Sequence, residues 1–167
     1  MLEVLELDGD ASLPEVSGDE HVPLMIRWGL TSAVVWQVVW PDGRVCCELK
    51  ISRVGGRIFG VTVLNPPPVI DGAEVCSGAW DDVGVPVVSL VPFDPNPDLD
   101  PQRDVAEFRC SPSAVRTGAW VEFRFGDFSP ARWAMSGSVG FGIDEFDQLV
   151  AVRVSAAALP RSSPLAV

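Results

Sequence analysis

VVWQVVWPDGRVCCELKISRVGGRIFGVTVL, residues 34–64, decides the fold of this chain. Val34–Trp40 is a nearly unbroken run of Val and Trp, the composition of a strand covered on both faces. Pro41 then fixes one backbone angle and Asp42-Gly43 supplies a tight turn. VCCELKI (45–51) returns, VGGR (54–57) turns again, and IFGVTVL (58–64) runs back. Three strands joined by two short turns make an antiparallel meander.

The same grammar recurs further on. GRIFGVTV (56–63) and DQLVAVRV (147–154) match position by position as turn residue, polar, aliphatic, apolar, small, Val, polar, Val. In WVEFRF (120–125), Val121, Phe123 and Phe125 alternate with Glu122 and Arg124, as in a half-buried strand. LEVLEL (2–7) and PLMIRW (23–28) are further strand-like pieces, and VPVVSLV (85–91) reads as an edge strand. No segment sustains the 3.6-residue period of an amphipathic helix.

The expectation is therefore an all-β domain, an antiparallel β-sandwich or partly closed barrel. It is built from two β-meanders with Pro-rich crossovers and little helix. The 167 residues fit a single domain, with pseudo-repeat halves at 1–64 and 105–155. Residues 65–104, which contain NPPPVIDG and VPFDPNPDLDPQRD, form the Pro-rich connection, since proline cannot occupy a central strand. Residues 156–167 read as a helical turn and a loose C-terminal tail.

Composition excludes some functions. The net charge of −11 disfavours nucleic acid, which is held through phosphate contacts, and favours a basic protein partner. Glu3, Glu6, Asp8, Asp10, Glu15, Asp19 and Glu20 precede the first basic residue. A mean hydropathy of +0.25 is high for a soluble monomer, so a homodimer burying the apolar excess is a further expectation. The start MLEVLELDGD has neither the basic n-region nor the apolar core of a signal peptide, and no apolar run could span a bilayer. These features suit a cytoplasmic, bacterial protein with no membrane contact, whose Cys46, Cys47, Cys76 and Cys110 are reduced. Neighbouring Cys46 and Cys47 are expected on opposite faces of their strand.

GSVGFGIDEFDQL (137–149) has glycines spaced as in a phosphate loop, but they alternate with Val139, Phe141 and Ile143. That places them in a strand with nothing helical after it, so no phosphate cradle is expected. The bare face left by Ser138, Gly140 and Gly142 is expected to admit an aromatic ring from a neighbouring strand. DPNPDLD offers Asp94, Asn96, Asp98 and Asp100 at EF-hand spacing, yet Leu99 replaces the required glycine and Val105 the closing glutamate. A lone His21 and the absence of CxxC spacing leave no zinc set or nucleophile–histidine pair, so neither metal nor cofactor is expected.

The remaining candidates are Trp80, Asp81 and Asp82, with Asp144, Glu145 and Asp147 on a second acidic turn. The preferred function is a non-catalytic protein-binding module, such as a toxin-neutralising, immunity-type protein, that presents acidic turns to a basic partner. The alternative is a carbohydrate-active or other hydrolase domain. Its tryptophan would stack on a sugar while two carboxylates share acid–base work.

Overall fold

The computed structural model describes residues 1–9, 12–29, 33–72, 81–93 and 104–166, with the backbone alone at Asp81. The chain forms β1 (Leu2–Asp8), β2 (Glu15–Ser17), β3 (Leu24–Arg27), β4 (Ala33–Val39), β5 (Val45–Ser52) and β6 (Ile58–Val63). β7 (Val69–Asp71), β8 (Asp81–Val83) and β9 (Val85–Val88) come from the connecting region, and β10 (Val105–Arg109) follows it directly. β11 (Ser113–Thr117), β12 (Trp120–Arg124), β13 (Arg132–Ser136), β14 (Val139–Ile143) and β15 (Gln148–Ser155) complete the order. Two short 3-10 turns, Val91–Phe93 and Ala156–Ala158, are the helical content of the described residues.

The strands form two sheets packed face to face, a sandwich and not a closed barrel. The first sheet runs β10-β4-β5-β6-β3-β2; the second runs β7-β11-β12-β15-β14-β13-β8, with β1 and β9 attached through β15. Both expected meanders are present, β4-β5-β6 and β13-β14-β15, one in each sheet. The sheets are mixed where antiparallel sheets were expected. β10 lies parallel to β4, β8 to β13 and β7 to β11. β7 and β8 come from the connection at 65–104 and β10 follows it directly; each pairs with a strand far away in sequence, as parallel pairing requires, since a tight turn joins only antiparallel strands. VPVVSLV does lie at an edge: β9 pairs in a ladder with β1 alone, with one isolated bridge from Val87 to Arg57, and Val85 and Val88 are nevertheless buried.

Register shows how closely the halves correspond. In the first meander Cys47, Glu48, Leu49 and Lys50 face Val63, Thr62, Val61 and Gly60, and after a bulge Ile51 faces Ile58. In the second, Val139, Gly140, Phe141 and Gly142 face Val154, Arg153, Val152 and Ala151, and after a bulge Ile143 faces Leu149. The bulged residues, Phe59 and Val150, accept equivalent backbone hydrogen bonds from Trp28 (2.9 Å) and Phe125 (2.8 Å). β3 lies on β6 as β12 lies on β15, and β2 and β11 lie outside them. The orders β10-β4-β5-β6-β3-β2 and β8-β13-β14-β15-β12-β11 are thus the same order.

The core is the layer between the sheets, supplied by alternate residues such as Leu24, Ile26, Leu49 and Ile51 from one and Val121, Phe123, Phe141 and Val152 from the other. Trp28 tilts against Phe141 and Trp36 meets Phe125 edge-on, each pair with ring centroids 5.6 Å apart. The Trp28 indole N–H donates to Ser136 Oγ at 2.9 Å, which satisfies its one polar atom across the layer. The C-terminal segment is packed, not loose. Leu159 and Leu165 are buried, and Ser163 Oγ donates to the Pro23 carbonyl at 2.5 Å.

Cys46 sits at a bulge where β5 pairs with β4, so adjacent thiols that strict alternation would separate are both buried. A hydrogen bond with the Cys46 thiol, and then burial, hold the Cys47 thiol well above its ordinary pKa. Burial, helped by Cys46, pushes the Cys110 thiol up to about 11. Cys46, Cys47 and Cys110 are free thiols.

Candidate functional site

The turn DEFD joins β14 to β15, and Asp144 builds it. Its Oδ1 accepts the backbone N–H groups of Phe146 and Gln148, both at 2.9 Å, and its own N–H donates to the Gln148 carbonyl at 3.0 Å. The residue is only 6% exposed, and this carboxylate holds the turn together. Asp147 takes a left-handed conformation (φ 59°) that short polar side chains tolerate. Glu145 is exposed, as is Phe146 at 73%.

Two of the residues singled out in the sequence do converge. Arg132, at the start of β13, donates from Nη2 to Asp147 Oδ1 at 2.7 Å, and its Nε lies 3.7 Å from Asp82 Oδ2. Asp82 and Asp147 thus face one guanidinium from two sides. The arrangement sets one positive charge beside both acids. Asp81 contributes backbone to β8, whereas Trp80 lies outside the described residues, as do Cys76 and the EF-hand-like Asp94–Asp100 stretch.

Among the described residues no three His, Cys, Asp or Glu side chains are grouped to hold a metal ion. His21 is exposed, 3.5 Å from Glu20. The backbone N–H groups of Val22 and His21 hold the Asp19 carboxyl below its ordinary pKa, which marks a loop turn. No described helix is long and apolar enough to cross a membrane.

The glycine face of β14 has a different occupant from the expected aromatic ring. A methyl group on Gly140 would stand 2.8 Å from both Arg153 Nε and Met135 Sδ; one on Gly142 would stand 2.7 Å from Pro130 Cγ. Arg153, opposite Gly140 in register, lies flat across the bare strand. Its guanidinium carbon is 4.1 Å from the Trp133 ring centre and 4.7 Å from that of Trp120. Nη2 approaches Met135 Sδ at 3.0 Å. The aromatic residues are present, but they hold an arginine instead of filling the hollow themselves. Beside it, Glu122 is 6% exposed and paired with Arg124 Nε at 2.6 Å. Sequence reading missed Arg153 because only the β14–β15 register sets it opposite a glycine.

A cavity of about 490 Å3 opens elsewhere, between the Pro66–Pro68 run, Val69 and the packed tail at Leu165. Arg116 borders it and donates to the Leu165 carbonyl at 3.2 Å, with Asp71 Oδ1 3.9 Å from its Nε. Of the candidates, Asp82, Asp144, Glu145 and Asp147 do not line this cavity.

No known protein family matches the chain, and no curated protein matches it significantly in sequence.

Proposed function

We propose that the protein is a non-catalytic binding module that presents carboxylates to a basic protein partner, in the manner of an immunity-type protein. The observation that carries this reading is how the charges are distributed. Arg44, Arg53, Arg57, Arg109, Arg116, Arg124 and Arg132 each lie beside an Asp or Glu of the chain itself. Glu3, Glu6, Glu15 and Glu145 are exposed and make no ion pair among the described residues. The negative excess is therefore directed outward, where it steers an oppositely charged partner.

β1 concentrates that surface. Its pairing with β9 shifts register between Val4 and Glu6, and the bulge turns out Leu5, 61% exposed, between Glu3 and Glu6. An apolar side chain flanked by acids gives an anchor with a charged rim, the usual division of labour in a protein contact. The described carboxylates give the hydrolase alternative no support. Asp144 is committed to its turn, and Asp82 and Asp147 share Arg132 away from the cavity.

Affinity capture with the tagged full chain, in parallel with an E3K/E6K variant, tests the reading. The wild type is expected to retain a basic protein saturably and to release it as salt rises, with the variant losing it. Identical retention by both chains, or no saturable partner, refutes the proposal.

A further inference from the structure

Arg116 stands apart from the other paired arginines of the chain. Arg44, Arg53, Arg57, Arg109, Arg124 and Arg132 each hold a carboxylate at 3.1 Å or less. The ion pair of Arg116, with Asp71, spans 3.9 Å, and the Asp71 side chain is 94% exposed. A pair that long, at a site open to water, is worth little. Nη2 donates one hydrogen to the Leu165 carbonyl at 3.2 Å. Nη1 and the second hydrogen of Nη2 meet no acceptor among the described residues. Together they form a flat edge of the guanidinium, the shape that grips both oxygens of a carboxylate.

The same arginine borders the cavity of about 490 Å3, a volume in the range of small-molecule pockets. Apart from Arg116 and Asp71, its walls are the Pro66–Pro68 run, Val69, Pro164 and Leu165, all apolar. These walls are set before anything binds. Ring closure fixes one backbone angle at each proline. The parallel pairing of β7 with β11 places Asp71 opposite Arg116. Ser163 Oγ ties down the tail by donating to the Pro23 carbonyl and accepting the Leu165 N–H at 3.2 Å. A pocket formed in advance loses little freedom when it is filled.

We propose that this cavity binds a small organic acid, with its carboxylate on Arg116 and its apolar body against the proline and leucine walls. Each part of that ligand answers an observation. The open edge of the guanidinium calls for a planar anion. The net charge of −11 opposes anions over most of the surface, so a bare inorganic ion has too little to gain. An apolar body supplies the difference by removing the walls from water. Glu3, Leu5 and Glu6 do not line the cavity, so this site and the β1 surface stand or fall separately.

Isothermal titration calorimetry of the full chain with phenylacetate tests this. Phenylacetamide lacks the charge and acetate lacks the apolar body. Phenylacetate is expected to bind one to one with a Kd below about 1 mM, and the other two about tenfold more weakly or not at all. Arg116→Met keeps an unbranched apolar side chain and should weaken binding about tenfold or more. Asp71→Asn, at an exposed position, removes a like charge and should tighten binding by about two- to fivefold. Circular dichroism confirms that each variant is folded. No saturable binding up to about 10 mM, amide bound as tightly as acid, or affinity undiminished in Arg116→Met overturns the proposal. A loss in Arg116→Met without a gain in Asp71→Asn traces the effect to the tail that Arg116 holds, and likewise overturns it.

Discussion

Gly140→Ala probes the arginine stack with a single methyl group. Gly140 lies in extended strand backbone that any residue adopts, so the effect is steric alone. The new Cβ would meet Arg153 Nε and Met135 Sδ at 2.8 Å and Arg153 Cγ at 2.9 Å, all closer than a Cβ atom tolerates. Met135 is unbranched and can swing away. Arg153 cannot, because Trp120 and Trp133 flank its guanidinium. Overpacking of this kind costs about 1–3 kcal/mol, and lifting the guanidinium off two rings forfeits about 1–2 kcal/mol more. The lower freedom of alanine in the unfolded chain offsets about 0.5–1 kcal/mol. The expected loss is about 2–3 kcal/mol, a fall of about 4–10 °C in Tm for a chain of this size. Thermal unfolding followed by circular dichroism reads the loss, and tryptophan fluorescence reports whether the stack opened. Arg153→Ala in the same chain removes the obstacle, so the double variant should lose less than the sum of the single losses. A Gly140→Ala protein within about 0.5 kcal/mol of wild type, or strictly additive losses, would refute the reasoning.

Two further outcomes are expected. Asp144→Ala removes the acceptor for two turn N–H groups and should cost about 1.5–3 kcal/mol in urea unfolding, with Asp144→Asn recovering at least half through its remaining oxygen. The raised thiols give an alkaline limit. Unfolded Cys110 ionises near 9.0 but folded Cys110 only near 11, so above about pH 9 the unfolded chain binds fewer protons and the fold loses stability up to about pH 11. Cys47 acts in the same direction, and urea midpoints that stay flat across that window would contradict the placement of these thiols.

What could be read from the residues follows the range of the interactions involved. The β4–β5–β6 meander is written in local chemistry, since Pro41-Asp42-Gly43 and Gly55-Gly56 set the turns and apolar side chains such as Val34, Trp36, Val38, Leu49 and Ile51 supply the buried face. The register match of β6 with β15 is legible for the same reason: both pair with the strand just before them. β7, β8 and β10 pair in parallel with strands distant in sequence, and at three to five residues they carry no periodicity of their own. Antiparallel sheets were therefore the natural but incomplete expectation. At the acidic turn, Asp144 to Asp147 were visible as a hairpin connection, yet nothing local says that Arg132 would draw Asp82 and Asp147 together. The glycine strand posed a packing question whose answer, Arg153, depends on which residue lies opposite.

The pairing of β1 sets a timetable for folding. Leu2 and Glu3 lie against Leu149 and Gln148, so β1 gains this partner only once β15 has been made. β15 also separates β12 from β14, and β8 cannot dock before β13 exists. On a ribosome the first meander can close early, while the second sheet stays in two pieces, β11–β12 and β13–β14, until residues 148–155 emerge. A chain truncated ahead of Gln148 would lose both the bed of β1 and the middle of the second sheet. Completion of the second sheet thus rests on one strand, β15, which holds β1, β12 and β14 at once.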